Sequence, residues 1–359
     1  MTQPSFEIFG KRNPKIIFKH EDKEYILQTI GDPHLGRNYR NNLKHRLGDR
    51  EESIKKTFID LLNLESNVTV IMGDLLDKVV ISNEWLTFIR DTLAVIALKN
   101  PHRVFVILNG NHDEVKDKRR VSSFQLLEKY FERYKGNNLI FVSHESLNVP
   151  LPDFNLNLFF TNYDAFDTID DLLTIEDLNI NKDYLNVAFG HFEIEAFDST
   201  KFINREIPNL LLDNFDLIVT GHIHKPSVTN VKGKTVIVTG SMQPYAFGEE
   251  IEGEDNFYKT LSFSEFTRIL DFNPDAFINT NLRVHYSKND ELIDFINCLS
   301  INYILVNDES NIQNTIITTT PRPFASLFLE QLNLKKDGTN DSFVEKLEQI
   351  FLEKDFESN

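Results

Sequence analysis

Cysteine is almost missing from this chain: Cys298 stands alone among 359 residues. One thiol cannot close an internal disulfide, and the paired C-x-x-C patterns of zinc and redox motifs are absent. Long apolar runs are lacking too, since nothing approaches the ~18 consecutive apolar residues of a membrane helix. The opening Met1-Thr2-Gln3-Pro4 has neither the basic nor the apolar region of a secretory signal. No internal repeat and no low-complexity tract is present. These absences make a reducing cytoplasm the expected compartment and exclude a membrane partner.

Positive charge is also scarce, with 38 Lys+Arg against 55 Asp+Glu and a formal net charge of −17. A sugar–phosphate backbone is gripped through neutralising Lys and Arg, so the total argues against a simple nucleic-acid binder. Its distribution is uneven. Residues 37–56 carry Arg37, Arg40, Lys44, Arg46, Arg50, Lys55 and Lys56 against Asp49, Glu51 and Glu52, and Lys116, Lys118, Arg119 and Arg120 surround Asp117. Such runs are usually solvated faces. Their places directly after two polar motifs give a functional role an equal claim.

A composition of 41% hydrophobic and 26% charged residues is that of a chain able to bury a core. The length suits one large α/β domain with a smaller one behind it. The expected division is a domain over 1–250, a small α+β cap over 251–330 and a helical tail over 331–359. Strands are predicted at 15–19, 25–30, 68–72, 104–108, 139–142, 158–163, 187–189, 217–220 and 235–239, and helices at 51–64, 84–98, 122–134 and, acidic in character, 168–178. In the cap, strands at 282–286 and 303–306 flank a helix over 291–299. Pro321-Arg322-Pro323 breaks the chain, and amphipathic stretches at 324–332 and 342–352 close it.

Five of the predicted strands end in polar residues. In order these are Asp32 and His34, Asp74, Asn111 and His112, His191, and His222 and His224. In α/β sheets ligands bind beyond the carboxyl ends of the strands. Side chains alternate along extended backbone, so Asp32 and His34 are expected to face one way, and His222 and His224 likewise, with Ile223 turned inward. Taken singly, each pair reads as well as a turn acid or a surface histidine. Together they offer two Asp oxygens, one Asn oxygen and four imidazoles, with His112 left to act on substrate. That exceeds one tetrahedral cation and suits two cations sharing a carboxylate. His20, His45, His102, His144 and His285 fit none of these motifs.

The ordered set Asp32-x-His34, Gly73-Asp74-x-x-Asp77, Gly110-Asn111-His112-Asp113, Gly190-His191 and Gly221-His222-x-His224 resembles that of the calcineurin-like metallophosphoesterases. The resemblance covers residues 25–248. Asp32-Pro33-His34-Leu35-Gly36-Arg37, and Gly240-Ser241 running into Pro244–Glu249, look like the SbcD branch of DNA repair and recombination nucleases. It implies a β-sandwich flanked by helices, with a small α+β cap and C-terminal helices. Asp32, His34 and His224 would hold one metal, Asn111, His191 and His222 a second, and Asp74 would bridge. His112 would be the catalytic histidine that binds no metal, with Asp113 to orient it. Nuclease members often carry histidine where Asp77 stands, so a substrate-strand role does not transfer to that position.

The function so implied is a DNA exonuclease or endonuclease using two divalent metal ions, with manganese favoured. Its implied partners are DNA, an SbcC-like coiled-coil ATPase contacted through 342–352, and a second copy of the chain in a homodimer. Two other classes remain open: a stand-alone metallophosphatase or small-molecule phosphodiesterase, and a non-catalytic scaffold that kept the fold.

Overall fold

The computed structural model describes residues 4–37, 49–115, 119–133, 138–163, 178, 180–193, 207–251, 258–278, 280–293, 295 and 297–306. The chain divides into two compact units, Met1–Tyr258 and Lys259–Asn359. The predicted helices at 324–332 and 342–352 and the tail over 331–359 lie outside the described residues, as does the acidic stretch 168–178 apart from Leu178.

Two six-stranded sheets build the first unit. One orders β1 (Ser5–Phe9), β2 (Lys15–His20), β3 (Lys23–Ile30), β4 (Val68–Met72), β5 (Val104–Leu108) and β6 (Leu139–Val142) as neighbours in sequence. The other runs from β11 (Ser227–Val231) through β12 (Lys234–Val238), β10 (Leu217–Thr220), β9 (Leu185–Gly190) and β8 (Leu156–Phe160) to β7 (Leu147–Leu151). Both are mixed: β3 through β6 are parallel, as are β8, β9, β10 and β12, with antiparallel strands at the margins.

The parallel strands are apolar on both faces because both faces are covered. Val68, Val70 and Met72 of β4 point inward to meet Leu158, Val187, Phe189 and Val219 of the opposite sheet. Between them Ile71 points outward, onto α1 (Asp49–Leu62), α2 (Asn83–Lys99) and α3 (Ser123–Glu132). Ile218, Val236 and Val238 of the second sheet likewise face outward, onto Leu211 and Leu212 of the short α4 (Asn209–Asn214). Ile54, Phe58 and Leu62 recur every four residues along α1 and are fully buried, the stripe an amphipathic helix needs. The α2 cap is Ser82, whose hydroxyl accepts from the Trp85 N–H. The result is a mixed-sheet α/β sandwich flanked by helices.

In the second unit β14 (Asn281–Tyr286) lies between β13 (Tyr258–Ser262) and β15 (Ser300–Leu305). The helix α5 (Phe263–Phe272), which periodicity did not flag, starts on a reciprocal capping box between Ser262 and Glu265. The predicted helix over 291–299 does not form: its described residues are irregular or bent. The Ile293 carbonyl that a helix would use accepts instead from the Phe295 N–H at 3.0 Å and the Tyr303 hydroxyl at 2.6 Å. Asn297 is drawn away to Asp275 and the Pro274 carbonyl.

Candidate metal centre

All the candidate residues follow strands whose carboxyl ends share one edge of the sandwich. Asp32 and His34 follow β3, Asp74 follows β4, and Asn111 and His112 follow β5 of the first sheet; His191 follows β9, and His222 and His224 follow β10 of the second. The loops after β3 and β4 are zipped together. His34 N–H donates to the Asp74 carbonyl, Leu35 N–H to that of Leu75, and Asp77 N–H to that of Leu35, each at 2.9 Å.

These loops do not extend the strands. Asp32 (φ 25°), His34 (φ 44°), Asp74 (φ 46°) and His222 (φ 77°) all take left-handed backbone, a costly state outside glycine. Asp32 and His34 share a donor group as alternation predicts, but His222 and His224 fall into different ones. Asp32, His34 and His224 form one; Asp74, His191 and His222 form another; and His34, Asp74 and His112 form a third grouping between them. Within each, the donor atoms lie within 4.8 Å of one another.

The first group closes on His34 and His224, whose Nε2 atoms are 3.0 Å apart, with Asp32 Oδ2 at 3.8 Å from His224 Nε2. In the second, Asn111 Oδ1 is 3.0 Å from both His191 Nε2 and His222 Nδ1. Asp74 stands between the groups: its Oδ2 is 3.7 Å from His34 Nε2 and 3.4 Å from His191 Nε2. Its Oδ1 accepts from the His112 N–H at 2.8 Å.

Three rings have their tautomer set by what lies behind them. A carbonyl only accepts, so His191 Nδ1 carries a proton toward Met72 O at 2.9 Å, and His112 Nδ1 toward Asp77 O at 2.7 Å. His224 Nδ1 donates to Glu249 Oε1 at 2.9 Å. Each turns Nε2 toward the site, and at His191 and His224 this is the arrangement by which outer partners orient metal-binding histidines.

Electrostatics follow from burial and crowding. Burial pushes Asp32 up to about 6 against the pull of His191. Burial acts on Asp74 too, but the charge and hydrogen bond of His191 outweigh it and hold that carboxyl well below its ordinary range. Burial opposes charge on His191, yet the Asp74 carboxylate raises it to about 9. Burial lowers His34 to about 3 and, with repulsion from His191, His222 to about 4. The cluster thus carries its own counter-charge as a proton on His191.

The donors fit divalent cations. Both Asp32 oxygens and His34 Nδ1 are buried with no hydrogen-bond partner among the described residues. A buried carboxylate whose oxygens lack hydrogen bonds is costly, and imidazole, carboxylate and amide oxygen together are the ligands of Mn, Fe or Zn.

Two expectations change. Asp113 does not orient the His112 ring. Its oxygens accept from the N–H groups of Leu75, Leu76 and Gly110 at 2.9–3.1 Å, and the Asp77 carbonyl holds the ring instead. Asp113 therefore fixes the loops that carry Asp74 and Asn111. Arg50, counted among the basic residues of 37–56, is buried and donates to the Pro244 carbonyl. Arg40, Lys44, Arg46, Lys116 and Lys118 lie outside the described residues. Sequence reading also missed the contact of Glu249 with His224 and that of Tyr245, whose hydroxyl donates to the Pro33 carbonyl and whose ring meets His34 edge-on. Residues 25 and 212 positions apart leave no spacing signal.

The family model described as calcineurin-like phosphoesterase matches residues 29–226, more than half of the chain. One similar solved structure is GAP50, the anchor in the inner membrane complex of Plasmodium, at 15% identity and TM-score 0.38, covering 60% of this chain and 71% of that one. Another is the phosphopantetheinyl hydrolase PptH of Mycobacterium tuberculosis, at 12% identity and TM-score 0.34, covering 64% of this chain and 96% of that one. Likenesses this distant say nothing of substrate. No curated protein matches the chain.

Proposed function

The chain belongs to the calcineurin-like phosphoesterases, and from that premise we propose that it hydrolyses phosphodiester bonds of DNA, as an SbcD-like nuclease subunit. One observation carries the reading: two donor groups adjoin at a single buried carboxylate, with Asp74 Oδ2 within 3.7 Å of a histidine from each. Asp32, His34 and His224 would hold one cation, Asn111, His191 and His222 the other, and Asp74 both. Bound there, divalent cations supply Lewis acidity, acidify water and neutralise charge growing on phosphoryl oxygens.

The chain's own part falls to His112. Its ring meets that of His34 edge-on at 4.8 Å, and its Nδ1 is tied to Asp77 O. Nε2 is therefore the atom that, in the imidazolium form of the ring, would give a proton to the sugar oxygen as its bond to phosphorus breaks, while the attacking water forms the new P–O bond and loses a proton to solvent. Asp113 and Asp77 hold loop and ring in place. For DNA as substrate, support comes from the resemblance to the SbcD branch and from Arg37, which lies over the Tyr245 ring at 5.3 Å beside the site. Two dications against the carboxylates of Asp32 and Asp74 also make the loaded site net positive within an acidic protein. An SbcC-like coiled-coil ATPase, a homodimeric assembly and a cytoplasmic location belong to the same proposal.

The test is manganese-dependent cleavage of end-labelled linear duplex and hairpin DNA, with His112→Ala as control. Cleavage by the wild type alone supports the nuclease. A second reading, a phosphatase or small-molecule phosphodiesterase, is favoured by the inward turn of Arg50, which removes one cation from the basic segment. Hydrolysis of a chromogenic phosphodiester with no cleavage of either DNA would establish it.

A further inference from the structure

The three histidines with fixed tautomers are not held alike. His191 and His112 lean on backbone carbonyls, whereas His224 leans on the Glu249 carboxylate. A carboxylate behind an imidazole fixes its proton and makes the opposite nitrogen a stronger donor. Here that opposite nitrogen, Nε2, is the one facing Asp32 and His34.

Glu249 is itself fixed. Its Oε2 accepts from the Tyr245 N–H at 2.7 Å, so the carboxylate cannot swing away without leaving that amide. Its main chain is held by Arg12, whose Nη2 donates to Glu249 O at 2.5 Å. The same guanidinium donates through Nη1 to His224 O and Ser241 O, both at 3.0 Å, and to Ser241 Oγ at 3.1 Å. One planar fork thus holds the backbone of the ligand and that of the residue behind it. The rigidity of the guanidinium makes Arg suited to such bridging in a way Lys is not.

We propose that Glu249 is the positioning residue of the first cation site, setting the tautomer and donor strength of His224 while Arg12 holds the two loops in register. This deepens the metal reading above and rests on it. It makes the two sites unequal. The site completed by His224 depends on a carboxylate 25 residues downstream, while the site of Asn111, His191 and His222 does not.

The test titrates manganese into the metal-free full-length wild type, Glu249→Ala and Glu249→Gln, reading stoichiometry and the two affinities by calorimetry and electron paramagnetic resonance. Two ions are expected in the wild type. In Glu249→Ala one site should weaken on the order of 10- to 100-fold while the other is unchanged. Glu249→Gln, whose amide oxygen still accepts from Nδ1–H, should lose less. In long-range 15N–1H spectra of the metal-free protein, the His224 Nδ1–H tautomer should be fixed in the wild type and lost in Glu249→Ala. Arg12→Lys should weaken the same site and not the other. Unchanged affinities in Glu249→Ala, or equal weakening of both sites, would overturn the proposal. A wild type that binds no manganese would overturn the metal reading beneath it.

Discussion

His34 and His224 present Nε2 to Nε2 at 3.0 Å across the mouth of the first donor group. His224 carries its proton on Nδ1, toward Glu249, so its Nε2 offers a lone pair. Burial keeps His34 neutral, lowering it to about 3. Two inward nitrogens beside a carboxylate with no hydrogen bond are held together at a cost that a shared cation removes.

Metal removal should therefore destabilise the fold. At a free ion concentration 100 times Kd, each bound ion adds about 2.7 kcal/mol. Thermal unfolding with manganese and with chelator measures this, and identical midpoints would show that the donors hold nothing.

His112→Ala should keep both ions and lose turnover by about 10²- to 10⁴-fold, the scale of general acid–base catalysis. The ring touches the centre through His34 and not through a fixed ligand bond. Ion content and kcat on the same preparation decide it; loss of an ion would make His112 a ligand.

Ion affinity should rise with pH well past neutrality. A cation needs the ionised carboxylate and the neutral imidazole. Asp32, raised to about 6, keeps its proton below that pH, and His191, raised to about 9, keeps its own up to that pH. Each raised group thus favours the metal-free form in acid. Binding at pH 7.5 should release the His191 proton, and calorimetry in buffers of different ionisation enthalpy counts it. An affinity flat between pH 6 and 9 would contradict the assignment.

Gly221→Ala should empty the centre although it touches no substrate. A Cβ there would lie 2.3 Å from Met72 O and 2.6 Å from Asp32 Oδ1. Met72 O is also the acceptor of the His191 ring, so donors of both groups are displaced. Overpacking of this kind costs about 1–3 kcal/mol. Ion content and urea midpoint should both fall; a fully loaded variant would show that the approach is looser than it stands.

Much of this is legible in the sequence. The strands 68–72, 104–108, 139–142 and 217–220 end where their continuous apolar runs end, because burial on both faces needs such runs. The donors were legible because they sit at strand ends. Their partition was not legible from alternation. Left-handed backbone at His222 goes with its separation from His224, a pair that period-two counting places on one face. Glu249, Arg12 and Tyr245 act across loops, where no local period exists. Strands β1, β7 and β11 were overlooked because only one of their faces meets the core, and β11 is largely exposed.

The donor loops come from both sheets. Asp32, His34, Asp74 and Asn111 belong to one, and His191, His222 and His224 to the other. A cation held by either donor group would therefore join the two halves of the sandwich at its edge, as a rivet joins two plates. Sheets so fastened would not peel apart at that seam until an ion left, which would make metal release a step in unfolding. The loaded protein should then owe its lifetime to slow opening as well as to depth of the native well. Resistance to proteases becomes a readout of ion occupancy.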